Sequence, residues 1–73
     1  MNDNFDNKLI LLGNKIKLLR NEKNITQQFL SSYCDVDIRT IQRIESGKQN
    51  PTYKLLLSIS NCLNISISDL LNF

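Results

Sequence analysis

Two arginines four positions apart, Arg39 and Arg43, are the residues of this chain best suited to chemistry. At this spacing they share one face of an α-helix. Each guanidinium can donate two hydrogen bonds to the O6 and N7 atoms of a guanine, and Gln42 between them can pair with an adenine. The alternative is that either arginine binds a phosphate or lies in solvent, because phosphate contacts outnumber base contacts. The pattern favours recognition through hydrogen bonds over catalysis.

The residue types that catalysis or metal binding requires are missing from the sequence. It contains no His, no Gly-rich phosphate loop and no pair of carboxylates placed for acid–base work. Its two cysteines, Cys34 and Cys62, form no Cys-x-x-Cys motif. A thiol without a neighbouring base is inert, and an unpaired Cys is usually buried. We therefore expect two free core thiols, no metal, no cofactor and no enzymatic activity.

The length of 73 residues suits one small domain. Apolar residues make up 41% of the chain, and with only two Gly and one Pro its many Leu and Ile residues favour helices. We predict an all-α domain at residues 8–73 after a flexible N-terminal segment at residues 1–7. No apolar run is long enough to cross a membrane, and the first residues are polar and acidic, so we expect a cytoplasmic protein.

Five helices follow from the apolar spacing and from residues that begin or end helices. The predicted segments are residues 8–23, 27–33, 38–46, 53–64 and 67–71. The predicted N-caps are Thr26, Asp37 and Ser66, and the predicted left-handed ends are Asn24, Gly47 and Asn64. Side chains with inward spacing are Leu9, Leu12, Ile16, Leu19, Leu30, Ile38, Ile41, Ile44, Leu56, Ile59 and Leu63. On the third helix, Arg39 and Arg43 point away from Ile41 and Ile44, so the arginines face outward.

Positive charge is concentrated in the middle of the chain. All nine Lys and Arg residues lie between Lys8 and Lys54, together with only four of the seven acidic residues. This stretch therefore carries a net charge of +5, whereas the whole chain carries +2. A cationic middle could face phosphates, although a solvated surface of mixed charge explains the same numbers.

The residues between Leu12 and Leu71 resemble the Cro-and-repressor type of helix-turn-helix, also called the xenobiotic-response-element family. The resemblance covers about four-fifths of the chain and keeps its spacings without a gap. Asp35 and Ser31 depart from the pattern, since the family usually has Gly and Ala there. The matching residues are Ile16-x-x-x-Arg20, Ile25-Thr26-Gln27, Leu30, Val36, Thr40-Ile41, Arg43-Ile44-Glu45-x-Gly47, Asn50-Pro51-Thr52, Leu56-x-x-Ile59, Leu63 and Ser66-x-x-Asp69-Leu70-Leu71.

This resemblance implies a five-helix DNA-binding domain of the lambda-repressor-like type, in which the helix from Ile38 to about Glu45 enters the major groove. It also implies an ion pair between Arg20 and Glu45 that joins the first helix to the third. The candidates for reading bases are Arg39, Arg43, Gln42, Thr40 and Ile38. The candidates for contacting the DNA backbone are Gln27, Gln28, Lys48, Gln49 and Asn50.

We therefore expect a small transcriptional regulator, a repressor or operon controller, that binds a palindromic operator as a homodimer. Excess apolar residues offer a possible dimer surface, unless they only complete the core. The alternative function is an antitoxin-like protein-interaction module in which DNA binding is secondary. We expect no small-molecule ligand. The candidate dimer residues are Leu55, Leu57, Ile65, Ile67 and Phe73.

Overall fold

A computed structural model describes the backbone of residues 3–73 and the side chains of residues 6–73. The described chain forms five α-helices and no strand. The predicted all-α, five-helix fold is confirmed. No helix within residues 3–73 has the length and apolarity needed to cross a membrane. The helices are α1 (Asp3–Glu22), α2 (Gln27–Cys34), α3 (Ile38–Glu45), α4 (Tyr53–Cys62) and α5 (Ile67–Leu70).

The first helix begins at Asp3, so the predicted start at Lys8 is wrong. The predicted start was placed next to Leu9, the first inward-facing leucine. A helix can, however, begin several residues before its first buried side chain. Residues 3–7 contain neither Gly nor Pro, and nothing in their types interrupts a helix. The flexibility of residues 1–7 stays a prediction, and Met1 and Asn2 lie outside the described residues.

The helix ends agree with the predicted caps. A side-chain oxygen at each N-cap accepts a hydrogen bond from a backbone N–H in the first turn, over 2.8 to 3.1 Å. Positive φ angles occur at 58° in Asn24, 55° in Asn64 and 76° in Gly47. These left-handed ends were all expected from residue type. The capping residues are Thr26, Asp37, Thr52 and Ser66.

One apolar core joins all five helices. Ile38, predicted to face inward, is only half-buried, because the first turn of α3 lies at the end away from α1. Leu9 and Leu19 were also predicted to face inward and are half-buried, and Leu19 packs against the core. The remaining inward positions are buried as predicted. The buried apolar residues are Leu12, Ile16, Leu30, Ile41, Ile44, Leu56, Ile59, Leu63 and Leu70.

A buried ion pair holds α1 against α3, as the family resemblance implied. Arg20 donates from Nε to Oε2 of Glu45 over 2.7 Å and from Nη2 to Oε1 over 3.1 Å. Its Nη1 donates to the carbonyl oxygen of Ile25 over 2.9 Å. The two side chains are only 10% and 3% exposed. Among the described residues, no buried side-chain nitrogen or oxygen lacks a hydrogen-bond partner. The pair is thus fully compensated within the fold.

Gly13 allows the backbones of α1 and α3 to approach closely beside this pair. A Cβ atom at Gly13 would collide with the carbonyl oxygen of Ile44 and lie 2.7 Å from that of Glu45. Both obstacles are backbone atoms, which cannot swing aside as a side chain can. The residue types around Gly13 did not indicate this contact, because it depends on which helix packs there.

We expect Gly13→Ala to destabilise the domain although alanine is the better helix former. The gain in helix propensity is about 1 kcal/mol, whereas forced overpacking costs about 1 to 3 kcal/mol even where side chains can adjust. Urea denaturation followed by circular dichroism measures the difference. Asn14→Ala is the matched control, since Asn14 is exposed one position later and should not lose stability. A Gly13→Ala domain as stable as the wild type would contradict the close approach.

We expect Glu45→Gln to lower the free energy of unfolding by about 3 to 5 kcal/mol, because it leaves the Arg20 guanidinium buried without a compensating charge. Equilibrium unfolding in urea is the measurement. Glu22→Gln removes the same charge from an exposed site on α1 and should change stability by less than about 0.5 kcal/mol. Equal unfolding midpoints for the two variants would show that α1 does not depend on the ion pair.

Candidate nucleic-acid interface

The second and third helices form a helix-turn-helix joined by residues 35–37. The turn is made possible by Asp35, which adopts φ 57° and directs its N–H to the carbonyl oxygens of Ser31 and Ser32. Ser31 is 1% exposed, and its hydroxyl donates to the Gln28 carbonyl oxygen over 2.8 Å. Both departures from the family pattern are therefore accommodated without an unpaired buried group.

The third helix has one buried side and one exposed side. Ile41, Ile44 and Glu45 are buried, whereas Arg39 and Arg43 on the opposite side are exposed. Gln42 is exposed on the same side, while Thr40 and Ile38 are half-buried at its two edges. The side chains predicted to point outward together do so, and the exposed set is a cationic ridge consisting of Arg39, Gln42 and Arg43.

The guanidinium of Arg39 is held by Asp37 at the start of α3. Its Nε and Nη2 atoms donate to the two carboxylate oxygens, each over 3.2 Å. The same carboxylate accepts the backbone N–H of Arg39 over 2.8 Å. The side-chain hydrogen bond from Arg39, followed by the backbone bond, lowers the pKa of Asp37 below its ordinary value. The hydrogen bonds to Arg39 thus favour the charged form of the carboxylate.

The guanidinium of Arg43 is held from the loop that follows α3. Its Nε donates to Oε1 of Gln49 over 3.0 Å. The loop is anchored by the N–H of Lys48, which donates to the Arg43 carbonyl oxygen over 2.9 Å, and by Gly47, which packs on Ile10. A Cβ at Gly47 would lie 2.7 Å from Cγ1 of Ile10, and its positive φ also favours glycine. The loop thus has a defined path beside the ridge.

The predicted backbone-contacting residues occupy both sides of the ridge. Gln27, half-buried at the start of α2, donates from Nε2 to Oε1 of Glu45 over 3.1 Å and accepts from Gln42 over 3.5 Å. Gln28 is exposed beside it. On the loop, Lys48 and Asn50 are exposed and Gln49 is half-buried. These positions could contact the two DNA strands that border a groove occupied by α3.

The partners that hold the exposed polar side chains were not predicted from the residue pattern. Asp37 was identified only as an N-cap, although an Asp two positions before an Arg at a helix start is a usable signal. The bond between Gln49 and Arg43 gives no such signal, because it depends on the fold of the loop. The hydrogen bond between Gln27 and Glu45 could not be predicted from the sequence either, because 18 positions separate the two residues.

The cysteines are free, as predicted, and they lie half-buried at the margin of the core. Both pack against the core. Desolvation, with a smaller repulsion from Cys62, raises the pKa of Cys34 to about 11. Desolvation also raises the pKa of Cys62. Neither thiol is activated as a nucleophile, and the described residues contain no cluster of side chains able to hold a metal ion.

The five apolar residues proposed for dimer formation differ in exposure. Leu55, Ile65 and Ile67 are half-buried and pack against the core, so they belong in part to the fold. Leu57 remains 39% exposed and Phe73 48% exposed. The accessible part of the candidate surface therefore comprises Leu57 on α4 and Phe73 after α5.

Comparison with protein families matches residues 16–70 to a helix-turn-helix family. An uncharacterised HTH-type transcriptional regulator of Methanocaldococcus jannaschii is 37% identical, over 81% of this chain and 89% of its own length. Control protein C.MunI of a Mycoplasma species is 39% identical over 84% of each chain. Control protein C.BamHI of Bacillus amyloliquefaciens is 34% identical over 88% of this chain and 80% of its own length.

Solved structures agree with the family assignment. The clp gene regulator ClgR of Corynebacterium glutamicum superposes with a TM-score of 0.85 at 25% identity, covering 88% of this chain and 68% of the regulator. The restriction-modification controller protein C.AhdI of Aeromonas hydrophila shares the fold with a TM-score of 0.82 at 24% identity, over 85% and 94% of the two chains. The chain thus belongs to the Cro-and-repressor type of helix-turn-helix family and is a transcriptional regulator related to the control proteins C.MunI and C.BamHI.

Proposed function

We propose that this regulator binds a palindromic operator in double-stranded DNA as a homodimer and represses or controls an adjacent operon. The observation that carries the proposal is the cationic ridge of α3, whose two arginines project into solvent directly opposite the buried side of the helix. An α-helix fits the major groove, where a guanidinium can recognise guanine through two hydrogen bonds. The cytoplasmic location predicted from the sequence belongs to the same proposal, because a regulator must reach DNA.

In the proposed complex, Arg39 and Arg43 read guanines and Gln42 reads a neighbouring base. Thr40 and Ile38, at the edges of the ridge, contact bases at the margins of the footprint. All three ridge side chains are exposed. Their hydrogen-bond donors can therefore reach base edges without rearrangement of the core. The buried ion pair sets the angle of α3 and takes no part in recognition.

Backbone contacts in the proposed complex come from both sides of the ridge. Gln27 and Gln28 lie at the N-terminus of α2, where free backbone N–H groups and the positive end of the helix dipole favour a phosphate. Lys48, with Gln49 and Asn50 beside it, faces the DNA strand on the other side. The Lys48 ammonium adds the strongest ionic contribution there, because its binding to a phosphate releases counterions.

Dimer formation is proposed through the exposed parts of α4 and the residues after α5. One α3 helix reads only a few base pairs, so a useful specificity requires two half-sites. Leu57 and Phe73 provide exposed apolar area, and Leu55, Ile65 and Ile67 are only half-buried. Two similar proteins carry the name control protein. Their similarity supports operon control as the regulatory role.

We expect Arg39→Ala and Arg43→Ala each to reduce the preference for guanine at one position per half-site by about tenfold. Selection of bound sites from random DNA, followed by sequencing, measures this preference. Lys48→Ala should instead weaken binding to all sequences alike and lower the slope of affinity against salt by about one.

The matched control is Lys15→Ala. The Lys15 ammonium donates to the carbonyl oxygen of Asn72 over 3.1 Å, on the side of α1 that faces the C-terminal residues. It should bind and select DNA as the wild type does. If the two arginine variants retained the wild-type preference at every position, the assignment of α3 as the reading helix would be wrong.

We expect the chain to be a dimer in sedimentation equilibrium experiments and Leu57→Lys to weaken the dimer at least about tenfold, because it places a charge within the apolar contact. Leu18→Lys is the matched control, since Leu18 is 57% exposed on α1. It should leave the dissociation constant unchanged. A wild-type chain that remains monomeric both alone and on its operator would exclude the proposed dimer.

A further inference from the structure

Each arginine of the cationic ridge is held by a hydrogen bond from its Nε atom. Asp37 accepts hydrogen bonds from Nε and Nη2 of Arg39, and Gln49 accepts from Nε of Arg43. The two partners come from different segments, Asp37 from the turn before α3 and Gln49 from the loop after it. The shared geometry therefore arises from opposite ends of the helix.

Binding at Nε leaves a defined part of the guanidinium free. The group carries five N–H donors in a rigid plane, and Nε with one N–H of Nη2 forms one edge of that plane. For Arg39, the carboxylate of Asp37 occupies this edge. The adjacent edge, formed by Nη1 and the second N–H of Nη2, still presents two parallel donors, which match O6 and N7 of guanine.

We propose that Asp37 and Gln49 are specificity-determining positioning residues, which hold the Nε side of Arg39 and Arg43 so that each arginine presents its Nη1–Nη2 edge to a guanine. This inference rests on the proposed function, because it assumes that α3 reads bases. Each partner limits the rotamers of a long, exposed side chain before DNA arrives. Less side-chain entropy is then lost on binding the correct base.

The charge of Asp37 adds to discrimination in a second way. A carboxylate beside the ridge repels phosphates and therefore weakens binding that depends on the DNA backbone alone. A correctly placed guanine compensates for this repulsion, whereas other bases do not. Asp37 should thus lower the affinity for non-specific DNA and raise the preference for guanine. A residue that acted only as an N-cap would not have both effects.

Asp37→Asn separates positioning from capping. Asparagine caps helices about as well as aspartate, but it carries no charge and accepts through one oxygen only. In site selection, the guanine preference at the position assigned by Arg39→Ala should fall about tenfold. Affinity for unrelated DNA should stay equal or rise. Circular dichroism should show the thermal midpoint of the wild type.

Asp35→Asn is the matched control for charge. It removes a carboxylate from the same turn, where no hydrogen bond joins the side chain to Arg39, and asparagine tolerates the left-handed conformation. It should keep the guanine preference of the wild type. If Asp35→Asn and Asp37→Asn lowered the preference equally, net charge and not positioning would be the cause, and the inference would fail.

Gln49→Met tests the second partner, since methionine has a similar shape but lacks the amide acceptor. It should reduce the preference only at the position assigned by Arg43→Ala. Asn14→Leu is its control, because it likewise replaces a side-chain amide with an apolar side chain of similar shape, at an exposed site on α1 that takes no part in the hydrogen bonds of either arginine. Unchanged preference in both Asp37→Asn and Gln49→Met, with a wild type that selects a site, would overturn this inference alone. A wild type that selects no site would overturn the proposed function as well.

Discussion

The position of α3 depends on the buried ion pair between Arg20 and Glu45. A guanidinium and a carboxylate joined by two hydrogen bonds fix both distance and angle, which apolar contacts do not. Ile25 and Gln27 complete the pair, so the start of α2 is tied to the same point. Three helices are therefore set relative to one another by one small polar cluster, and the outward direction of Arg39 and Arg43 follows from it.

Features with a local physical cause could be predicted from the sequence. Thr26, Asp37 and Ser66 end up as N-caps because a short polar side chain serves a helix start in any fold. Asn24, Gly47 and Asn64 adopt positive φ for an equally local reason. The outward direction of the arginines also followed from helical spacing alone. The ion pair, by contrast, was implied only by the family resemblance, since 25 positions separate its members.

Features that depend on packing between segments could not be predicted. The start of α1 was placed too late for a different, local reason, because residues 3–7 carry no repeating apolar positions from which a helix could be predicted. Ile38 was assigned to the inward side by its angle, although its position along the helix leaves it beyond the core. The contacts of Gly13, Gln27 and Gln49 each join elements that only the tertiary structure brings together. Three of the five apolar residues assigned to a dimer surface pack partly on the core for the same reason.

Asp37 caps α3 through the Arg39 N–H and also binds the Arg39 side chain, and this double role restricts how the chain can diverge. The cap favours Asp, Asn, Ser, Thr or Gly at position 37, and of these only Asp offers a full charge to an arginine. A descendant that exchanges Arg39 for an uncharged residue would keep the cap but lose the partner of its charge, and the carboxylate would then only repel phosphates unless position 37 changed too. The residue types at positions 37 and 39 should therefore change together among relatives that recognise different operators.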